Sequence, residues 1–268
     1  MKKKFKIGII GAGFMSTAII NGIINAKLIS PSQIIVSDIN ESSLEKISAL
    51  GISVTTNNIE VANSSEFVLF AIKPQTFNAV ASQLKDCNCQ KFISIMAGVK
   101  ISTIKNYLGS VSVARCMPNT PCSVGSGAVG IDLSNFSLEE DVLFIKSIFN
   151  SFATVVCLPE DKLNVVTGIS GSAPAYFYLF AKSIIDSGIK NGLTYDEAKT
   201  LVVNTMIGSG KMLLKNSDKD IDSLINAVCS KGGTTIEAVK VYNDYNLNDI
   251  SNKAISACIK RAEELENL

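Results

Sequence analysis

The chain has 268 residues, 47% of them apolar, enough to fill a sizeable core in one large domain or two ordinary ones. Its 25 Lys and Arg nearly balance 24 Asp and Glu, so the basic surplus that marks a nucleic-acid binder is missing and a small-molecule ligand is the expectation. Histidine and tryptophan are absent, which excludes Ser-His-Asp triads, HExxH zinc sites and dehydrogenases that rely on a histidine acid.

Lys2, Lys3 and Lys4 precede the uncharged residues 7–20, an arrangement superficially like a signal peptide. Gly11 and Gly13 interrupt that run, Asn21 and Asn25 follow it, and no A-x-A pattern closes it. Residues 5–10 (FKIGII) instead predict a strand, the GAG at 11–13 a tight turn, and Met15, Ala18, Ile19, Gly22, Ile23 and Ala26 recur at helical spacing. In such a turn Gly11 allows the sharp bend and Gly13 lets a pyrophosphate approach the amides at the helix start. Ser16 stands where the third glycine of the dinucleotide fingerprint belongs, and it is small enough for close helix–strand packing.

QIIVSD (33–38) predicts a second strand, SLEKISAL (43–50) an amphipathic helix and GISV (51–54) a short third strand. Asp38 ends the second strand, where a carboxylate accepts hydrogen bonds from a ribose 2′-hydroxyl and repels a 2′-phosphate, so its position leans toward NADH. Capping of the following helix is the competing role for Asp38, with Asn40 and Ser42 as other candidates. EFVLFAIKP (66–74), KFISIMAG (91–98) and SVSVARCMP (110–118) read as buried strands, with short helices near 58–64, 75–84 and 101–107. Lys73-Pro74 then lies on the rim where strand ends open into a ligand crevice. Residues 125–130 (GSGAVG) also fit G-x-G-x-x-G, but they follow a loop and lead into IDLSN, not a helix, so this copy is rejected as a dinucleotide site. Edge strands are expected at 126–132 and 152–157 around a helix at 137–150.

After Pro159 the strand-like runs vanish and helical patterns follow at 172–190, 194–214, 217–227, 234–244 and 247–266. The expected class is an α/β Rossmann-type doubly wound parallel sheet (residues 1–160) followed by an all-α C-terminal domain (161–268). AYFYLFAKSII, from Ala175, is apolar around most of a helix, so a homodimer interface is the expected cover, with a purely internal helix as the alternative. Pro174 suits a first helical turn and Ser172 its N-cap. Thr234-Thr235-Ile236-Glu237 fits a capping box, preceded by Gly232-Gly233; taken alone the segment reads first as an ordinary capped helix after a flexible turn, and its exposed amides at a helix start also suit a carboxylate. Seven scattered cysteines without a C-x-x-C pair read as reduced packing residues of a cytoplasmic protein, and no stretch approaches the ~18–20 apolar residues of a membrane span.

GAGFM (11–15), AIKPQ (71–75), MAG (96–98), ARCMPNTP (114–121), GISGSAPAY (168–176), GKMLL (210–214) and CSKGGTTIEAV (229–239) together resemble the Δ1-pyrroline-5-carboxylate reductase family over nearly the whole chain. The resemblance implies NADPH- or NADH-dependent reduction of 1-pyrroline-5-carboxylate to L-proline, the last step of proline synthesis, by a homodimer that often assembles into a ring. It implies cofactor contacts at Ile10, Gly11, Ala12, Gly13, Phe14, Met15, Asp38, Asn58, Ala71, Ile72, Lys73, Pro74, Met96, Ala97 and Gly98. It places the substrate on Ser172, Ser230, Gly232, Gly233, Thr234 and Thr235, with Thr235 partnering the imine nitrogen. Neither metal nor nucleic acid nor membrane enters. Lys231 stands where the family commonly has proline, and the family uses neutral or basic choices around Asp38. A β-hydroxyacid dehydrogenase would need a lysine six residues beyond its glycine-rich helix motif, where this chain has apolar residues and Lys182 is out of step. A non-catalytic nucleotide sensor is the other rival.

Overall fold

The computed structural model describes residues 3–266. Eight strands form one sheet: β1 (Phe5–Ile10), β2 (Ile34–Ser37), β3 (Ser53–Thr55), β4 (Ser65–Phe70), β5 (Lys91–Ser94), β6 (Ser112–Met117), β7 (Gly127–Asp132) and β8 (Ala153–Cys157). Their order is β3-β2-β1-β4-β5-β6-β7-β8. Among the described residues, only the β6–β7 pair runs antiparallel.

The strands are apolar on both faces because both faces are covered. Helices α1 (Phe14–Asn25), α2 (Glu41–Ser48) and α6 (Glu139–Asn150) cover one, burying Ile19, Ile23, Ile47 and Phe149 against Ile7, Ile9 and Phe67. Helices α3 (Asn58–Ser64), α4 (Phe77–Gln83) and α5 (Ile101–Leu108) cover the other, where Val61, Phe77 and Ile104 meet Ile10, Phe70 and Phe92. The order reverses at β1: the chain moves outward to β2 and β3, then returns to β4 on the opposite side. Crevices beyond the carboxyl ends of such a sheet lie at this reversal. Ile10 is level with Ser37 on one neighbour and Phe70 on the other, so three strand ends open there together.

Beyond β8 the chain is helical: α7 (Leu163–Val166), a π turn (Thr167–Gly171), α8 (Ala173–Lys190), α9 (Tyr195–Lys215), α10 (Ile221–Val228), α11 (Thr234–Asp244) and α12 (Leu247–Leu265). Two compact units result, one reaching Pro174 and taking in the chain again from Cys258, the other Ala175–Ala257. Within the second unit, Ile185 and Ala198 are the buried apolar residues among those described. Phe177, Tyr178, Leu179 and Phe180 on α8 are 60%, 67%, 70% and 41% exposed. A four-residue aromatic and aliphatic run left in water is a surface that awaits a partner.

The second G-x-G-x-x-G is a packing device. Gly125 ends a 3-10 turn, and Gly127 opens β7 with Cys122 where a side chain would stand. All seven cysteines are free thiols. Burial pushes the Cys89 thiol up to about 11, which keeps it protonated and unreactive.

Candidate cofactor and substrate sites

The turn after β1 is built for a close backbone approach. Gly11 has φ +105°, and a Cβ there would lie 2.5 Å from the carbonyl oxygen of Ala71, so no other residue fits. Gly13 has open space where a Cβ would stand. It caps α1 without a side-chain hydrogen bond, and the first turn of α1 holds no acidic residue. The leading amides of Phe14, Met15 and Ser16 therefore face outward with the positive end of the helix dipole, which suits a pyrophosphate. Ser16 does more than fill the place of a glycine. It is fully buried, and its hydroxyl donates to the Gly11 carbonyl at 2.5 Å, locking the turn from beneath.

Asp38 reaches back to the same turn. Its Oδ2 accepts the Ala12 N–H at 2.6 Å and its Oδ1 the Asn40 N–H at 2.8 Å. The helix-capping role falls to Asn40, whose side chain accepts the Ser43 N–H. A carboxylate has about four acceptor positions, so both oxygens retain capacity for a ribose diol. Asn58 opens α3 and links Ser37 to Gln83 through its amide. Ala71 donates its N–H to Ile10, the chain leaves the sheet, and Lys73-Pro74 begin a 3-10 turn with the Lys73 side chain exposed. Met96, Ala97 and Gly98 leave the end of β5, where Met96 is buried and its N–H is accepted by Ser94. All the expected cofactor positions thus lie at or next to the carboxyl ends of β1, β2, β4 and β5, or at the start of α3 beside Ser37, and the features fit a dinucleotide.

The expected substrate positions fall into two places. Ser230, Gly232, Gly233, Thr234 and Thr235 surround the start of α11, in the second unit. The helix begins at Thr234 as expected, but the capping box does not form. Gly232 at φ +73° turns the chain so that extended Gly233 becomes the N-cap, with no side-chain cap present. Thr234 is then already helical and cannot cap. The true box is at Thr194, where Thr194 and Glu197 exchange hydrogen bonds. The missing cap leaves the amides of Thr234, Thr235 and Ile236 available to an anion. Gly233 donates to the Ser230 carbonyl at 2.9 Å, and the Ser230 hydroxyl occupies the space a Gly233 side chain would need. Thr235 and Lys231 are exposed, and neither side chain has a hydrogen-bond or ion-pair partner among the described residues.

Ser172 belongs to the first unit, and it is not the helix N-cap that the sequence suggests. Helical structure begins nine residues earlier, at Leu163, and passes through the π turn, in which the Ser172 N–H bonds to Thr167 at 2.9 Å. Pro174 explains the irregularity. It has no N–H for the Ser170 carbonyl one turn back, and a π turn absorbs that defect. Asn119 supplies donors in its place, its amide lying 3.5 Å from the Ser170 carbonyl and 3.3 Å from the Ser170 hydroxyl. Its oxygen accepts the Ala128 N–H at 3.0 Å. Cys258 on α12 lies 3.3 Å from the Ser172 hydroxyl. Asn119 lies within the ARCMPNTP motif and Cys258 in none, and no local pattern ties either to this turn, although a proline four residues after a helical carbonyl signals that a donor is needed from elsewhere.

Residues 160–265 match the family described as pyrroline-5-carboxylate reductase dimerisation, and residues 6–98 the family described as NADP oxidoreductase, coenzyme F420-dependent. A pyrroline-5-carboxylate reductase of Methanosarcina acetivorans is 34% identical over 97% of both chains. The chain belongs to the pyrroline-5-carboxylate reductase family. A Coxiella burnetii pyrroline-5-carboxylate reductase superposes with TM-score 0.90 at 31% identity, covering 98% of this chain and 99% of the other. A Plasmodium falciparum pyrroline carboxylate reductase solved with NADP bound gives 0.87 at 28% identity, covering 99% of this chain and all of that one. Within this family the chain is an oxidoreductase with a nicotinamide cofactor, and its C-terminal helices form a dimerisation domain.

Proposed function

We infer that the chain reduces 1-pyrroline-5-carboxylate to L-proline, with NADH or NADPH as reductant, as the last step of proline biosynthesis. The observation that carries this reading is the pairing of two uncapped helix starts: α1, next to glycines that admit a pyrophosphate, and α11, next to glycines that admit a carboxylate. Residues 1–160 hold the cofactor and residues 161–268 the substrate and the dimer contact. The dimerisation-family match beginning at residue 160 supports that division. The oligomer is a homodimer, with a ring of dimers as its larger form, in the cytoplasm. No helix among the described residues is long and apolar enough to cross a membrane.

The cofactor is held by residues 10–15, Asp38, Asn58, residues 71–74 and Met96 to Gly98. It supplies a hydride for the imine carbon. The chain's own task is to hold the imine ready and deliver charge compensation. The amides of Thr234 and Thr235, with Gly232, Gly233 and Ser230 around them, take the substrate carboxylate, an electrostatic site that needs no side-chain cation, and Ser172 is the further substrate contact. Thr235 orients the ring nitrogen, which must bear a proton for the carbon to accept hydride. A threonine hydroxyl is too weak an acid to give up a proton unaided at neutral pH, so it positions an iminium already protonated or relays through water. Holding two reactants in register accounts for most of the acceleration and demands no histidine.

The test is oxidation of NADH and of NADPH by the purified chain with pyrroline-5-carboxylate, with a 2-oxo acid, and with no acceptor. Oxidation with the imine and formation of proline are expected. Rapid oxidation with the 2-oxo acid alone would replace this reading with a hydroxyacid dehydrogenase, and none with any acceptor would leave a nucleotide sensor.

A further inference from the structure

Arg115 on β6 is 1% exposed, a guanidinium inside the first unit that no step of the reaction uses. Burying such a charge costs several kcal/mol unless it is paired, so its partners carry structural information. Nη1 lies 3.1 Å from Oε1 of Glu160, and Nη2 lies 2.9 Å from Oε1 of Glu266, just beyond the end of α12. The second oxygen of Glu266 pairs with Lys100 at 3.2 Å. Oε1 of Glu160 also accepts the Ile101 N–H at 2.7 Å, serving as the cap that α5 lacks in its own sequence. Two cations and two carboxylates thus enclose the start of α5. Burial alone would raise the Glu266 carboxyl, but Arg115 and Lys100 outweigh it and hold the group below the usual range.

These contacts border the loop from β5 to α5, residues 95–100, whose middle is Met96-Ala97-Gly98 and whose last residue is Lys100. Gly98 has φ +72°, and a Cβ there would lie 2.9 Å from Cβ of Leu265, so the last turn of α12 presses directly on the loop. Arg115 is level with Ser94, whose hydroxyl holds the Met96 N–H. The loop is therefore held on its strand side by Ser94, at its helix side by Glu160, and by Leu265 against Gly98 and Glu266 on Lys100.

We propose that Arg115, Glu160 and Glu266 form a brace that positions the Met96–Gly98 loop against the cofactor, so that the end of α12 sets hydride-transfer geometry without touching either reactant. This rests on the reading that residues 96–98 contact the cofactor. Glu266→Gln keeps the shape and removes the charge. With the full chain, kcat is expected to fall roughly ten-fold, with the KM for pyrroline-5-carboxylate within about two-fold of its starting value. The deuterium isotope effect from NADH labelled at the transferred hydrogen grows, and Glu266→Asp recovers part of kcat. A merely structural role would lower the thermal midpoint and leave kcat per folded site and the isotope effect unchanged, which overturns the brace. If Glu266→Gln does not fold, Lys100→Gln, which removes only the more exposed partner, is read for the same isotope effect in its place. Ala97→Glu with direct NADH titration separates the two ideas. Weakened NADH binding there with a silent Glu266→Gln defeats the brace alone, whereas unaltered binding defeats the cofactor reading of the loop and the brace with it.

Discussion

In the proposed mechanism Thr235 partners the imine nitrogen, and its surroundings make the expectation specific. Its hydroxyl has no partner among the described residues, so removing it breaks no internal hydrogen bond. Thr235→Ala should leave folding unchanged and lower turnover on the order of 100-fold, the usual weight of one positioned proton-handling group. NADH affinity should not move. Steady-state kinetics beside a cofactor titration check this, and equal loss in both would remove Thr235 from the imine. Asp38 makes the complementary case for the cofactor. Asp38→Asn keeps an acceptor for the Ala12 N–H and removes only the charge. A like-charge contact near a protein surface costs on the order of 1–4 kcal/mol, so the kcat/KM ratio of NADPH to NADH should rise at least ~5-fold. An unchanged ratio would mean that Asp38 serves only to hold the turn.

At the scale of elements, much of the chain was legible because the burial pattern is simple. The strand at 5–10, the turn at 11–16 and the helix at 234–244 stand where periodicity places them, since a sheet covered on both faces leaves unbroken apolar runs. What was not legible depends on distant partners. Thr194 and Thr234 carry the same x-x-Glu signal, and only the backbone turn at Gly232 decides that one forms a capping box and the other does not. A π turn breaks the 3.6-residue period, so the helix from Leu163 carries no periodic signal and Ser172 reads in the sequence as a cap it does not form. The Arg115 brace joins residues 45 to 151 positions apart, beyond the reach of any local pattern. Asn119 offers a test at this scale. Asn119→Asp keeps the acceptor for the Ala128 N–H but loses the donors to Ser170. Leaving that carbonyl unpaired should cost about 1–3 kcal/mol in denaturant unfolding. The KM for pyrroline-5-carboxylate should rise more than the KM for NADH, because the disturbed turn carries Ser172. Equal changes in both would place Ser172 outside the substrate site.

For the molecule as a whole, the question is what satisfies the helical unit. Residues 175–257 bury almost none of their own apolar side chains, yet α8, α9 and α10 all carry large ones in water, among them Leu179, Leu201, Ile207, Leu214 and Val228. Each large side chain moved from water into a packed interface contributes about 1.5–3 kcal/mol, so a surface of this composition gains more from a second copy than from any internal rearrangement. The family's dimerisation domain covers these same helices. Leu179, 70% exposed on α8, sits within the run that the partner must cover. Leu179→Glu places a charge there, and a buried unpaired charge costs several kcal/mol. The dimer dissociation constant should rise by at least ~100-fold, about 2.7 kcal/mol, as read by light scattering across a dilution series. The monomer should also lose its thermal midpoint in the helical part before the sheet unfolds, because the helices have little core of their own. An unshifted dissociation constant would take the Leu179 face of α8 out of the interface and assign the contact to α9 and α10.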